Sequence, residues 1–158
     1  MRINRSRFHL EFDWTGTGDP TPWLSVPAAI DAVGSMLLGG WDAVQHRNHN
    51  LILDAREEIC SAIGIDPPCP DSMIGSLATV PLPPGVKPEP VPANGVGQLQ
   101  DLLFTDFAIE VPVTNWATPV RNGLRVSAHL YNLIEDYRIL IAALEEVGSE
   151  LPPVPLRD

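Results

Sequence analysis

The stretch GLRVSAHLYNLIED, residues 123–136, decides how the chain is read. Leu124, Val126, Ala128 and Leu130 alternate with Arg125, Ser127 and His129. That two-residue period belongs to a strand with one face in a core and the other in water. The period then changes. Asn132 and Glu135 make a capping-box-like start, and LIEDYRILIAALEEV continues as a helix. The polar side of the strand carries a guanidinium, a hydroxyl and an imidazole in a row.

Working outward, FAIEVPV (107–113) and NWATPV (115–120) read as strands and GQLQDLLFTD (97–106) as a short helix. MIGSLATVPL (73–82) reads as a strand entering PLPPGVKPEPVP (81–92), where prolines remove backbone donors and force an extended, exposed loop. Upstream, Trp41, Val44, Asn48, Leu51, Ile52, Ala55, Ile59 and Cys60 recur at three- and four-residue spacing. They predict a helix over 41–62 with Arg47, Asn50, Asp54 and Glu57 outside. A preceding helix is expected from Thr21 as N-cap, with Pro22 at its first position, to Gly39 and Gly40. FHLEFDW (8–14) alternates and reads as a short strand. The order predicts a small α/β (α+β) sandwich, an antiparallel sheet packed with helices. The helix from Thr21 stands out, because nearly all of its surface is apolar or small.

The bulk properties narrow the partners. At 158 residues the chain has room for one domain with a real core, and 44% hydrophobic residues fit a globular chain. A formal net charge of −10 argues against nucleic acid and anionic membranes, which need a basic patch. No apolar run approaches the roughly 20 residues of a membrane helix. The start, MRINRSRFHLEFDW, has no apolar h-region, so no secretory signal is read there. Cys60 and Cys69 match no CxxC pattern, and a cytoplasmic chain with reduced thiols is the expectation. Lys87, the sole lysine, lies in the proline-rich run rather than in a desolvated pocket, which argues against a catalytic amine.

Candidate chemistry is sparse. His46 and His49 are three apart and could face one metal ion, but no third ligand is suggested nearby, and two histidines on the wet face of a helix is the simpler reading. Ser127 and His129 sit side by side on one strand without a nucleophile elbow, so no triad is assigned. Asp54, Glu57, Glu145 and Glu146 read as solvated acids and Cys60 as a core residue. The loop WTGTGDP (14–20) has two glycines, two threonines and a helix start just after it, a composition that suits an anion but more often just turns a corner. Arg125 alone fits either a solvated surface or an anion contact. No catalytic and no metal-binding residue is assigned.

Taken together, WTGTGDPTPWLSVPAAID (14–31) and LRVSAHLYNLIEDYRILIAALEEV (124–147) resemble the C-terminal part of class V aminotransferase-fold enzymes. The likeness is greatest to the isopenicillin-N epimerase-like branch, which is related to cysteine desulfurases. GGWDAVQHRNHNLILDAREEIC (39–60) and DSMIGSLATVPLP (71–83) fit the same pattern. The resemblance implies the small C-terminal domain of a fold-type-I pyridoxal-phosphate-dependent transferase that acts on an amino acid. It implies that Thr17, supported by Gly16, reaches across a dimer to the cofactor phosphate, and that Arg125 binds the substrate carboxylate through a bidentate pair. Two departures weaken parts of this. Gly18 stands where the branch usually has arginine, and PVTNWATPVRNG (112–123) lacks the cysteine that sulfur transfer needs.

In that family the Schiff-base lysine, the aspartate facing the pyridine nitrogen and the ring-stacking residue belong to a large domain upstream of FHLEFDW. The resemblance therefore implies residues 1–39 as a remnant of that domain and its connecting helix, and 40–158 as the small domain. The expectation is a C-terminal fragment, inactive alone, with no pyridoxal phosphate bound to this chain by itself. A homodimer or higher oligomer is expected, with the large cofactor-binding domain as partner in the parent enzyme. Two other readings stay open: an independent regulatory or partner-binding module, and one chain of a split enzyme.

Overall fold

The computed structural model describes residues 6–13, 16–83, 98–116 and 121–150. Among these, the chain runs through α1 (Arg7–Phe12), α2 (Thr21–Gly34), α3 (Gly40–Ala62), a single 3-10 turn at Asp71–Met73, and β1 (Leu77–Pro81). It continues through α4 (Gln98–Phe107), β2 (Val113–Trp116), β3 (Arg121–Ser127) and α5 (Ile134–Glu150). The strands form an antiparallel sheet in the order β1-β3-β2, so the strand read first in the sequence is the central one. Mixed helix and antiparallel sheet is the expected α/β class.

Register explains the two faces of the sheet. Ala78 lies opposite Val126 and Val80 opposite Leu124; all four are buried, together with Ala128. Thr79 lies opposite Arg125 and Leu77 opposite Ser127, on the side where Arg125 and Ser127 are exposed. Helices cover the first side. From α3 come Ile52, Ala55 and Ile59, from α5 Tyr137, Leu140 and Ala143, and from α4 Leu103. Burying a side chain such as Ile52, Ile59 or Leu124 stabilises the fold by about 1.5–3 kcal/mol relative to leaving it in water. The Tyr137 hydroxyl donates to the Ser127 carbonyl at 2.7 Å and pins the end of β3 to α5. Burial pushes the Tyr137 phenol up from its usual pKa.

Four local expectations are corrected. FHLEFDW is mostly helix, not strand: Ser6 accepts from the His9 amide, Arg7 pairs with Glu11, and the Phe8 and Phe12 rings meet at 4.9 Å, all helical spacings. FAIEVPV is irregular until Val113; Ala108 has φ 56°, which interrupts any strand there. The helix from Thr21 ends at Gly34 rather than Gly39, and its cap is supplied from upstream, because the Asp19 carboxylate accepts the Thr21 amide at 3.0 Å and the Thr21 hydroxyl. At α5, Asp136 rather than Glu135 reaches back, accepting the Leu133 amide at 3.0 Å. Asn132 accepts the His129 amide at 3.0 Å instead. The proline-rich run with Lys87 lies almost wholly outside the described residues, as do Ala117–Val120 of NWATPV.

α2 buries none of its residues. It lies against α3, where the Trp41 indole N–H donates to the Ile30 carbonyl at 3.1 Å. Trp23, Leu24, Val26 and Ile30 remain exposed. No helix among the described residues is long and apolar enough to cross a membrane.

Candidate functional site

Arg125 sits in the middle of β3, with its amide donating to the Pro112 carbonyl at 3.0 Å and Leu124 and Val126 locked in the core on either side. That anchoring fixes the direction in which its side chain leaves the sheet. The guanidinium is exposed and has no ion-pair partner among the described residues, so it is free to meet a carboxylate. Thr79 on β1 is its register neighbour, and exposed Thr114 on β2 lies opposite Gly123 on the same face. Ser127 shares this exposed face. Among the described residues no hydrogen bond joins the Ser127 hydroxyl to His129, whose ring stacks on Tyr131 at 4.8 Å.

The glycine-threonine loop is a separate feature. Gly16 has φ 108°, a conformation that needs glycine, and Thr17 is exposed. A Cβ at Gly16 or Gly18 would meet nothing within 4 Å, so no cradle is closed around the loop in this chain alone. Hydrogen bonds from the Thr21 hydroxyl and then its amide hold the Asp19 carboxyl below the usual carboxylate pKa. An ionised carboxylate two residues from Thr17 weakens the attraction of this loop for an anion. No hydrogen bond or ion pair among the described residues joins the loop to Arg125.

Two arginines that sequence spacing passes over do structural work. Arg47, expected on the wet side of α3, donates to the carbonyls of His129 at 3.0 Å and Asn132 at 2.8 Å, and so clamps the turn from β3 to α5. Arg56 is buried and donates to the Cys69 carbonyl at 2.9 Å and to the Asp71 carboxylate. The signal was available for Arg56, since it falls beside Ala55 and Ile59 on the stripe of α3.

The histidines His46 and His49 line a cavity of about 550 Å3 between α2, α3 and the ends of β1 and β3, and His129 reaches the same space. Among the described residues no group of three or more His, Cys, Asp or Glu is placed to hold a metal ion. Both cysteines are free thiols, with Cys60 buried and its pKa raised chiefly by that burial.

No family model matches the chain. Curated relatives do. It is 30% identical over 143 residues to the "Probable L-cysteine desulfhydrase, chloroplastic" of Arabidopsis thaliana, an alignment that takes in 85% of this chain and 29% of the plant protein. It is 33% identical over 136 residues to the isopenicillin N epimerase of Amycolatopsis lactamdurans, covering 85% of this chain and 31% of the epimerase. The isopenicillin N epimerase of Streptomyces clavuligerus is 30% identical over 137 residues, at the same 85% and 31%. The chain thus spans about a third of the length of the relatives it matches, and its homologues are class V aminotransferase-like enzymes of these two names.

Proposed function

We propose that this chain is the C-terminal small-domain portion of a pyridoxal-phosphate-dependent, class V aminotransferase-like enzyme acting on an amino acid, with Arg125 as the group that binds the substrate carboxylate. The observation that carries the reading is the exposed guanidinium of Arg125, unpaired among the described residues and aimed by a strand whose other face is fixed in the core. Alignment of 85% of the chain with an epimerase and a desulfhydrase supports the same class. Within this reading residues 1–39 belong to the large domain and its connection, 40–158 form the small domain, and Gly16 and Thr17 meet the cofactor phosphate across a dimer. Cys60 and Cys69 as free thiols suit a reducing, cytoplasmic setting.

The described residues do not fit pyridoxal phosphate as a self-contained site. They include no lysine, and Lys87 is the only one in the chain. The exposed loop at Gly16 and Thr17 encloses nothing by itself. What the chain's own residues can do is bind and orient. Arg125 offers a two-pronged donor to a carboxylate, and Thr79 and Ser127 stand beside it on the same sheet face. The reacting groups belong to the proposed large domain.

The chain itself supplies the test. Incubation with pyridoxal phosphate, borohydride reduction and peptide mapping should give no saturable label on Lys87 and no turnover of L-cysteine. Stoichiometric labelling of Lys87 accompanied by turnover would overturn the reading, because the chain would then be a complete enzyme.

A further inference from the structure

The cavity of about 550 Å3 lies within the range of small-molecule sites and is separate from the sheet face of Arg125, which does not line it. Its walls divide by chemistry. Val33, Trp41, Val44 and Ala128 make an apolar side, while Asn48, Ser76 and the three histidines make a polar side. Among the described residues no Asp, Glu, Lys or Arg side chain lines it.

Asn48 is the group that points to a ligand. It is 6% exposed. Its Oδ1 accepts from Arg47 Nη1 at 3.3 Å, which identifies the oxygen end of the amide and leaves the Nδ2 hydrogens without a protein acceptor among the described residues. That end of the amide is not sealed from solvent, so its hydrogens can be given to a molecule in the cavity. His49 Nδ1 lies 3.1 Å from the Gly75 carbonyl, which can only accept, so the hydrogen is on Nδ1 and the ring is held in one orientation at the wall. His129 is fixed as well, by stacking on Tyr131 and by the Asn132 acceptor on its amide. His46 adds a further imidazole and Ser76 a hydroxyl.

We propose that this cavity binds a small monocarboxylate with an apolar, ring-sized body. The Asn48 amide, the Ser76 hydroxyl and the His46 and His129 rings can donate to a carboxylate at one side, while His49 spends its hydrogen on the Gly75 carbonyl, and no acidic side chain among the described wall residues repels the carboxylate. The indole of Trp41, with Val33 and Val44, covers the body. The site does not depend on the role given to Arg125.

The probe is benzoate, with benzamide as its uncharged isostere. Titration of the isotope-labelled chain, followed through the Asn48 side-chain amide and the histidine ring resonances, should give saturable shifts confined to the cavity. Benzamide should bind about ten-fold more weakly, since charge-assisted hydrogen bonds are roughly twice as strong as neutral ones. His46 and His129 are exposed, so His46→Ala and His129→Ala leave the core intact, and each should weaken benzoate several-fold. Arg125→Lys should leave it unchanged. Absence of saturation, equal binding of benzamide, no effect of either histidine variant, or shifts that follow β3 and vanish with Arg125→Lys would each overturn the proposal. The last of these outcomes would leave the Arg125 reading standing.

Discussion

Arg125 and Arg56 carry the same guanidinium into opposite surroundings, and each makes a separable prediction. Among the described residues Arg125 holds nothing through its side chain, so Arg125→Lys should change stability by no more than about 0.5 kcal/mol. In an enzyme that includes the proposed large domain, the same change should lower kcat/KM roughly ten- to a hundred-fold, because an ammonium cannot reproduce a bidentate contact worth about 1.5–3 kcal/mol. Unchanged kinetics would return Arg125 to the status of a solvated surface residue. Arg56 is the reverse case, 3% exposed and paired with an Asp71 whose side chain is 71% exposed. Its Nε has no partner among the described residues, so the ion pair is all the more needed by the buried member. Asp71→Ala should therefore cost about 1.5–3 kcal/mol although Asp71 faces water, because it leaves a charge stranded in the interior. Arg56→Met, which removes that charge and keeps the volume, should cost less than about 1 kcal/mol. Urea midpoints for the two variants give the order; equal effects would mean that the pair is not desolvated.

At the scale of elements, α2 meets the rest of the fold through Trp41, and a single glycine governs that contact. A Cβ on Gly34 would lie 2.7 Å from the Trp41 Nε1 and 2.8 Å from its Cδ1, so the indole must move. Gly34→Ala should break the Trp41–Ile30 hydrogen bond and cost about 1–3 kcal/mol of overpacking. The loss should be local to α2, since the central sheet and α5 do not pass through this contact. Hydrogen exchange should quicken over 21–34 while β3 amides stay protected; uniform quickening would show that α2 is part of the cooperative core. The same division tells how far the sequence could be read. α3 and β3 are long or sharply patterned, and their buried residues fall on the stripe and the alternation that spacing predicts. α1 is six residues long, and over that length Phe8, Leu10 and Phe12 fit a strand as well as a helix. No strand among the described residues lies beside it to complete a ladder, so the form that satisfies its own backbone prevails. For the candidate site, the exposure of Arg125 was legible from alternation, while its role is a proposal that rests on the family resemblance. The cavity was not, because it gathers Val33, Asn48, Ser76 and His129 from distant segments, and only the folded chain brings them to one wall.

For the whole molecule, α2 is a helix that the fold leaves uncovered. The sheet with α3 and α5 closes a core without it, yet Trp23 is 79% and Leu24 74% exposed, with Ile30 and Met36 also facing water. Phe8, Leu10 and Phe12 of α1 add to the exposed apolar surface. Apolar patches beyond a few hundred Å2 are rare on soluble monomers. In the proposed parent the large domain would cover this helix; in the chain by itself, a second copy is the available apolar surface, and an isologous α2–α2 contact follows. The net charge of −10 opposes association at long range, but α2 contains one ionisable residue, Asp31, so little repulsion is carried into the contact itself. At 0.15 M salt the remaining repulsion is screened beyond about 8 Å. The chain should thus be a dimer or larger species in light scattering across micromolar concentrations, and association should strengthen as salt rises from low ionic strength. A paired Trp23→Glu, Leu24→Glu variant should be monomeric with its thermal midpoint nearly unchanged, because neither side chain belongs to the core. A monodisperse wild-type monomer, or a double variant that loses its fold along with its association, would show that α2 is covered in some other way.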